Sequence, residues 1–137
     1  MTVYLDTSVV VPLFLDDDHA QRVRAWAKSG VTVALSPWTL TEFSSALSMQ
    51  VRMGRLTESE RSDIEHTFDR WARMGRMLGF HPDRFDDARR LLQRYRRLRA
   101  PDALHLATAS WHRLALATLD EVLGEAAVAE GLDIVAP

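Results

Sequence analysis

The sequence predicts an α/β protein, a three-layer α/β/α sandwich around a short, mainly parallel sheet. Short β-type runs alternate with longer segments of helical periodicity along the chain, and no tight hairpin signal such as Asn-Gly joins two strands. Parallel strands need helical crossovers, which cover both faces of the sheet. At 137 residues and 47% hydrophobic composition, the chain is predicted to form one domain, residues 1–137, burying roughly 68% of its unfolded surface.

The first half of the chain is predicted to contain two strands and four helices. Pro12 should kink the first helix or shift its start. Asp18 with Gln21 indicates the cap of the second helix, and Thr57 with Glu60 indicates a capping box for the fourth. The third and fourth helices are expected to pair as a hairpin. In order, we predict a strand at Val3–Leu5, helices at Val9–Leu15 and from Asp18 to about Gly30, a strand at Thr32–Leu35, and helices from Ser36 to about Gly54 and from Thr57 beyond Ala72.

The second half is predicted to contain three strands and three helices. Trp111 falls on the stripe of its helix that we expect to be buried, as do the other tryptophans on theirs. Gly131 is expected to stop the last helix. The predicted elements are a strand at Met77–His81, a helix at Pro82–Leu98, a helix at Ala100–Trp111, a strand at Leu114–Thr118, a helix at Leu119–Glu130 and a strand at Leu132–Val135.

The composition excludes several kinds of site. The chain has no cysteine, which rules out disulfides, thiolate nucleophiles and cysteine-ligated zinc, and agrees with the reducing cytoplasm where we expect the protein to act. Five histidines show no i, i+4 spacing, so zinc is not expected, and we predict His105 and His112 to be surface or partly buried residues. The apolar run at Val9–Leu15 is too short to span a bilayer.

Four carboxylates, those of Asp6, Glu42, Asp102 and Asp120, stand at predicted strand ends or helix starts. Each has an ordinary structural explanation, which is weakest for Asp6. Thr39 with Glu42 and Thr118 with Glu121 match capping boxes, and an acid in a first helical turn is stabilised by about 0.3 to 1 kcal/mol. An acid that closes a buried strand, as Asp6 does, is costly unless it is paired or bound to metal.

Taken together, the four acids indicate a metal site. The carboxyl ends of parallel strands share one edge of a sheet, so Asp6, Glu42 and Asp120 should meet there, whereas spacing alone does not place Asp102. If the acids approach within about 4 Å, each like-charge pair costs about 4 kcal/mol at an effective dielectric constant of 20. Such a cluster needs a cation, and a hard divalent ion among carboxylates is suited to phosphodiester cleavage by activated water.

A run of arginines provides a candidate surface for RNA. The net charge of -2 gives no overall attraction to nucleic acid, but six arginines and no acid occur between Arg89 and Arg99. A solvated helix face explains the same run equally well. The candidate RNA contacts are Arg90, Arg94, Arg97 and Arg99.

Four short motifs, in this order and spacing, resemble PIN-domain ribonucleases, and within them the VapC-like toxins of bacterial toxin–antitoxin pairs. The motifs are Leu5-Asp6-Thr7-Ser8, Thr41-Glu42-Phe43, Pro101-Asp102-Ala103-Leu104-His105-Leu106-Ala107 and Thr118-Leu119-Asp120.

The resemblance implies a PIN-like fold in which Asp102 joins the other acids. It implies that Asp6, Glu42, Asp102 and Asp120 hold one or two Mg²⁺ or Mn²⁺ ions, and that the hydroxyls of Thr7, Ser8 and Thr118 support the acids or a water on the metal. Glu121 remains the alternative to Asp120 as fourth acid. The implied partners are an RNA substrate, a VapB-like antitoxin that covers the site and a second copy in a homodimer.

The sequence therefore predicts a metal-dependent endoribonuclease acting as a toxin. The alternative is a catalytically weak PIN-like module whose main role is to bind a partner through its apolar helices.

Other α/β classes fit the sequence less well. A receiver domain needs a lysine late in the chain, and the only lysine is Lys28. A dehalogenase-like phosphatase needs an aspartate where Ser8 stands, and no glycine-rich nucleotide-binding loop occurs.

Overall fold

A five-stranded parallel sheet runs through the molecule, and seven helices cover it. The computed structural model describes residues 1–137. The elements are β1 (Thr2–Leu5), α1 (Thr7–Phe14), α2 (Ala20–Ala27), β2 (Thr32–Leu35), α3 (Pro37–Arg52), α4 (Glu58–Met74), β3 (Arg76–Met77), α5 (Asp83–Arg94), α6 (Ala100–His112), β4 (Ala115–Ala117), α7 (Glu121–Ala129) and β5 (Ile134–Val135).

The strand order β3-β2-β1-β4-β5 places β1 at the centre of the sheet. Val3 of β1 lies opposite Val33 of β2 on one side and Ala115 of β4 on the other, and every pairing is parallel. The predicted parallel sheet is confirmed. Because all strands point the same way, the loops that leave β1, β2 and β4 emerge at one edge, and this edge carries three of the four predicted acids.

Alternate residues of β1 face two separate cores. Val3 and Leu5 pack with residues of α1 to α4, whereas Tyr4 packs with residues of α5, α6 and α7, and all three side chains are fully buried. This alternation follows from the period of two along a strand. The predicted three-layer α/β/α architecture is confirmed.

The predicted hairpin of α3 and α4 is also present. Phe43 of α3 and Phe68 of α4 pack with ring centroids 4.1 Å apart. The predicted capping box begins α4, since the Thr57 hydroxyl accepts from the Glu60 amide and the Glu60 carboxylate accepts from the Thr57 amide. Pro12 lies inside α1, which begins at Thr7, two residues before the predicted start. No helix is sufficiently long and apolar to cross a membrane.

Two predicted boundaries in the second half of the chain are wrong. The strand predicted at Met77–His81 covers only Arg76–Met77. Its neighbour β2 ends at Leu35, and the Leu35 carbonyl, which accepts from the Leu78 amide, is the last one that β2 provides. The helix predicted to reach Leu98 ends at Arg94. There the Tyr95 backbone becomes extended, and the Tyr95 hydroxyl donates to Glu130.

Two local assignments are also wrong. The residue that caps the start of α2 is His19, and its amide donates to the Asp17 carboxylate, so Asp17 rather than Asp18 shapes this turn. Trp111, predicted to be buried, is 64% exposed. One face of its ring stacks on the buried guanidinium of Arg84, 3.8 Å from the ring centroid. This cation–π contact gives the ring a partner without burying it.

Candidate active site

Asp6 is the most deeply buried of the four acids. It follows the central strand β1, caps the start of α1 and is 2% exposed. Its Oδ1 accepts from the Ser8 hydroxyl at 2.6 Å and from the Val9 amide at 3.3 Å, and its Oδ2 accepts from the Thr118 hydroxyl at 2.6 Å. Burial raises the pKa of Asp6, while these hydrogen bonds oppose the rise.

The hydroxyls singled out in the sequence join the strand ends to one another. Ser8 Oγ accepts from the Leu119 amide at 2.9 Å, and Thr118 Oγ1 accepts from the Asp120 amide at 3.0 Å. Because each hydroxyl oxygen accepts from an amide, its single proton is free to be donated to Asp6. These hydrogen bonds therefore connect the ends of β1 and β4 around the buried Asp6 carboxylate.

Glu42 lies within α3, and the capping box predicted for it is wrong. Ser36 and Thr39 form the box that begins α3. Glu42 Oε1 instead accepts from the Thr7 hydroxyl at 2.8 Å and makes a short hydrogen bond with His105 Nε2. Burial opposes ionisation of Glu42, but the hydrogen bonds from His105 and Thr7 lower its pKa below the ordinary value.

His105 is a site residue that the sequence prediction missed. Predicted to be a surface or partly buried residue, it is 1% exposed because α6 packs between the sheet and α5. Its Nδ1 lies 2.8 Å from the Tyr4 hydroxyl, and burial raises the pKa of Tyr4 to about 12, which keeps the phenol protonated. The sequence signal was its spacing from Asp102, because residues i and i+3 share a helix face.

Asp102 and Asp120 come together at the starts of two helices. Asp102 lies in the first turn of α6, and Asp120 caps α7 by accepting from the Leu123 amide at 2.8 Å. Burial, and next the charge of Asp120, raise the pKa of Asp102 to about 6; Asp6 adds to this rise, and Arg99 opposes it. Asp120 is half-buried, whereas its competitor Glu121 is exposed.

The four acids suit a hard divalent ion by their chemistry, although they do not form a ready-made ligand set. Carboxylate oxygens are the ligands that Mg²⁺ and Mn²⁺ prefer. Besides burial, repulsion from Asp120 and Asp6 raises the pKa of Asp102, and a cation would relieve this repulsion. However, no three Asp, Glu or His side chains are positioned to hold one ion together, and both Asp6 oxygens are engaged by hydroxyls.

Comparison with known proteins identifies the family. The family model described as "PIN domain" matches residues 3–129. The chain belongs to the PIN-domain family. No curated protein is significantly similar to it in sequence.

Solved structures share the fold of this PIN domain over nearly its full length. FitAcB from Neisseria gonorrhoeae is 22% identical, with a TM-score of 0.75 and coverage of 98% of this chain and 97% of that one. VapC20 from Mycobacterium tuberculosis, described as a sarcin–ricin loop cleaving toxin, is 21% identical, with a TM-score of 0.72 and coverage of 98% and 99%. A toxin–antitoxin complex from Klebsiella pneumoniae is 23% identical, with a TM-score of 0.67 and coverage of 98% and 97%.

Of the four arginines predicted to contact RNA, only Arg99 lies against an acid of this site, with its guanidinium 3.7 Å from the Asp102 carboxylate. Arg90 pairs with Asp87, and Arg97 lies 3.8 Å from Glu125. Arg94 donates to Glu130 just beyond the end of α7. At a rise of 1.5 Å per residue, this end is about 15 Å from Asp120.

Proposed function

We propose that this PIN domain is a metal-dependent endoribonuclease and the toxin of a toxin–antitoxin pair. The observation that carries the proposal is the gathering of Asp6, Glu42, Asp102 and Asp120 at the carboxyl edge of a parallel sheet in a PIN domain. Helix capping explains Asp6 and Asp120, which begin α1 and α7, but it does not explain why Glu42 and Asp102 lie near them. A common task as ligands of a cation explains their convergence.

In this proposal Asp6 and Asp102 hold the main ion, Mg²⁺ or Mn²⁺, and Glu42 and Asp120 bind it directly or through water. When bound, the ion supplies an activated water and charge stabilisation at the phosphate. The chain's own hydroxyls orient the ligands, with Ser8 and Thr118 fixing Asp6 and Thr7 fixing Glu42.

In this proposal arginine side chains bind the RNA and neutralise its phosphates. The Arg99 side chain is 77% exposed beside the half-buried Asp102, so it is free to turn from the carboxylate to an RNA phosphate. Arg90, Arg94 and Arg97 each have an acidic partner, and we propose that they bind RNA only as an outlying charged surface.

The proposed partners are a VapB-like antitoxin and a second copy of the chain. Two observations support a toxin role: the matched fold of VapC20, described as a sarcin–ricin loop cleaving toxin, and that of a toxin–antitoxin complex from Klebsiella pneumoniae. An antitoxin segment would inhibit the enzyme by covering the acidic edge. Co-expression with a small neighbouring open reading frame, followed by size-exclusion chromatography, tests both partners.

The test of the activity is cleavage of end-labelled RNA, including an oligonucleotide with the sarcin–ricin loop, in Mn²⁺ and in excess chelator. Asp6→Asn keeps the shape of the side chain and removes its charge. It should lower cleavage by more than about 100-fold, since loss of a residue that merely supports a metal ligand costs 10- to 100-fold. The matched control is Asp63→Asn, because Asp63 is exposed on α4. Full activity of the Asp6 variant, or cleavage in chelator, would refute the proposal.

One observation favours the alternative, a catalytically weak module that binds a partner. Both Asp6 oxygens and Glu42 Oε1 already have hydrogen-bond partners in the protein, so part of the cluster is stabilised without an ion. Calorimetric titration with Mn²⁺ separates the two functions. The module predicts no binding of the ion and an unchanged complex with the partner when Asp6 is replaced.

A further inference from the structure

A buried hydrogen-bond chain runs from the central strand to one of the acids. The Tyr4 hydroxyl of β1 lies 2.8 Å from His105 Nδ1 of α6, and His105 Nε2 bonds to Glu42 Oε1 of α3. Tyr4 is fully buried and His105 is 1% exposed. The His105 ring therefore connects the central strand, one helix of its own layer and one helix of the opposite layer.

The direction of each hydrogen bond can be worked out from the donors. The Tyr4 hydroxyl also lies 2.8 Å from Ser36 Oγ and 3.3 Å from Thr39 Oγ1. Both of these hydroxyls accept a backbone N–H in the capping box of α3, so their protons are free to point at the phenolic oxygen. The single proton of Tyr4 then goes to His105 Nδ1.

This direction of donation implies one tautomer of His105. Its Nδ1 accepts from Tyr4, and its Nε2 carries the proton, which it donates to the carboxylate of Glu42. The Thr7 hydroxyl donates to the same oxygen, Oε1. Both side-chain hydrogen bonds of Glu42 end on Oε1, and Oε2 is left without a hydrogen-bond partner in the protein.

We propose that Tyr4 and His105 are positioning residues that hold Glu42 Oε1 and so reserve Oε2 for a divalent cation. The inference rests on the proposed function, since it gives Glu42 the role of a metal ligand. Hydrogen bonds to the outer oxygen of a ligating carboxylate set its orientation and strengthen metal binding. Neither Tyr4 nor His105 needs to contact the ion or the RNA.

The first test reads the tautomer in the metal-free protein, without any reaction. Nitrogen-15 NMR of the His105 ring at pH 8 should show a protonated Nε2 and an unprotonated, hydrogen-bonded Nδ1. Tyr4→Phe removes only the hydroxyl and should shift the Nδ1 resonance. Thr108→Val is the matched control, because it removes a buried hydroxyl of the same helix that donates to the Leu104 carbonyl. An unprotonated Nε2 in the wild type would overturn the inference, because that nitrogen could not donate to Glu42.

The second test measures affinity for Mn²⁺ by electron paramagnetic resonance. Tyr4→Phe should bind the ion about 10-fold more weakly, the lower end of the 10- to 100-fold loss typical of such residues, while Thr108→Val should match the wild type. His105→Leu should lose more affinity than His105→Gln, whose amide can still donate to Glu42. Thermal melts check that each variant is folded. If the His105 variants are not folded, the result for Tyr4→Phe decides the test.

The outcomes separate this inference from the proposed function. Equal Mn²⁺ affinity of wild type and Tyr4→Phe, or no Mn²⁺ binding by the wild type, overturns the positioning role. If wild type cleaves RNA but Tyr4→Phe binds Mn²⁺ equally well, the function stands and the positioning role fails. If Mn²⁺ affinity depends on Tyr4 while RNA is not cleaved, the positioning role stands and the ribonuclease fails.

Discussion

Replacing Asp102 with Asn should stabilise the metal-free protein at pH 8 and have a much smaller effect near pH 4. Burial and the charges of Asp120 and Asp6 raise the pKa of Asp102 from 3.8 to about 6. The folded chain therefore holds this proton more tightly than the unfolded chain does. Below about pH 4 both states keep the proton, and between pH 4 and pH 6 only the unfolded state loses it. The free energy of unfolding of the wild type thus falls over this interval and stays lower above it.

The size of the effect follows from the shift. A rise of about 2 pKa units at 1.36 kcal/mol per unit corresponds to about 3 kcal/mol of lost stability at pH 8. The Asp102 side chain is 14% exposed, so screening by water is limited and this value is an upper bound. Asn has similar shape and does not titrate. The stability of Asp102→Asn relative to wild type should therefore increase by up to about 3 kcal/mol between pH 4 and pH 8.

Urea denaturation followed by circular dichroism, with chelator present, measures this difference at both pH values. Titrating groups that do not interact with Asp102 occur in both proteins and cancel in the comparison. Asp63→Asn is the control, because its carboxylate is exposed and its replacement should give no difference that depends on pH. A stability difference between Asp102→Asn and wild type that is the same at pH 4 and pH 8 would refute the electrostatic explanation. Mn²⁺ at pH 8 should stabilise the wild type more than the variant.

Three further predictions address the hydroxyl network, the core and the arginines. Thr118→Val removes a hydrogen bond to the buried Asp6 carboxylate and should lower the free energy of unfolding by about 1.5 to 3 kcal/mol at pH 7, as measured in urea. Phe43→Ala empties the space where α3 meets α4 and should cost about 3 to 5 kcal/mol in the same assay. Arg99→Ala should weaken binding of RNA to the chelated protein and reduce the slope of log affinity against log salt by about 0.7, while Arg94→Ala, at its pair with Glu130, should reduce the slope by less in filter-binding titrations.

Local sequence patterns predicted most of the elements, because they depend on neighbours in the chain. The short β-type run of β1 and the capping box of Thr57 and Glu60 indicate burial and satisfied amides within a few residues. The element boundaries that were predicted wrongly depend on residues that are distant in the chain. Residues after Leu78 have no strand to pair with because β2 has already ended, and no local feature of residues 77–81 reveals this.

The arginine run shows the same limit. Its sequence contains no acid between residues 89 and 99, which indicates an unpaired basic face. In the folded chain the partners come from elsewhere: Asp87 precedes the run, and Glu125 and Glu130 belong to α7 and its end. Charge along a sequence therefore overstates the free charge on a surface.

By itself, the sequence determined the α/β class, the PIN-domain resemblance and the four acids, because these depend on residue type, order and spacing. Only the tertiary structure decided how the acids are held. Helix α6 is buried on all sides over residues 103–109, so periodicity could not show that His105 faces Tyr4 and Glu42. Which side chain meets a carboxylate is set by how helices and sheet pack, and that packing joins residues about a hundred positions apart in the chain.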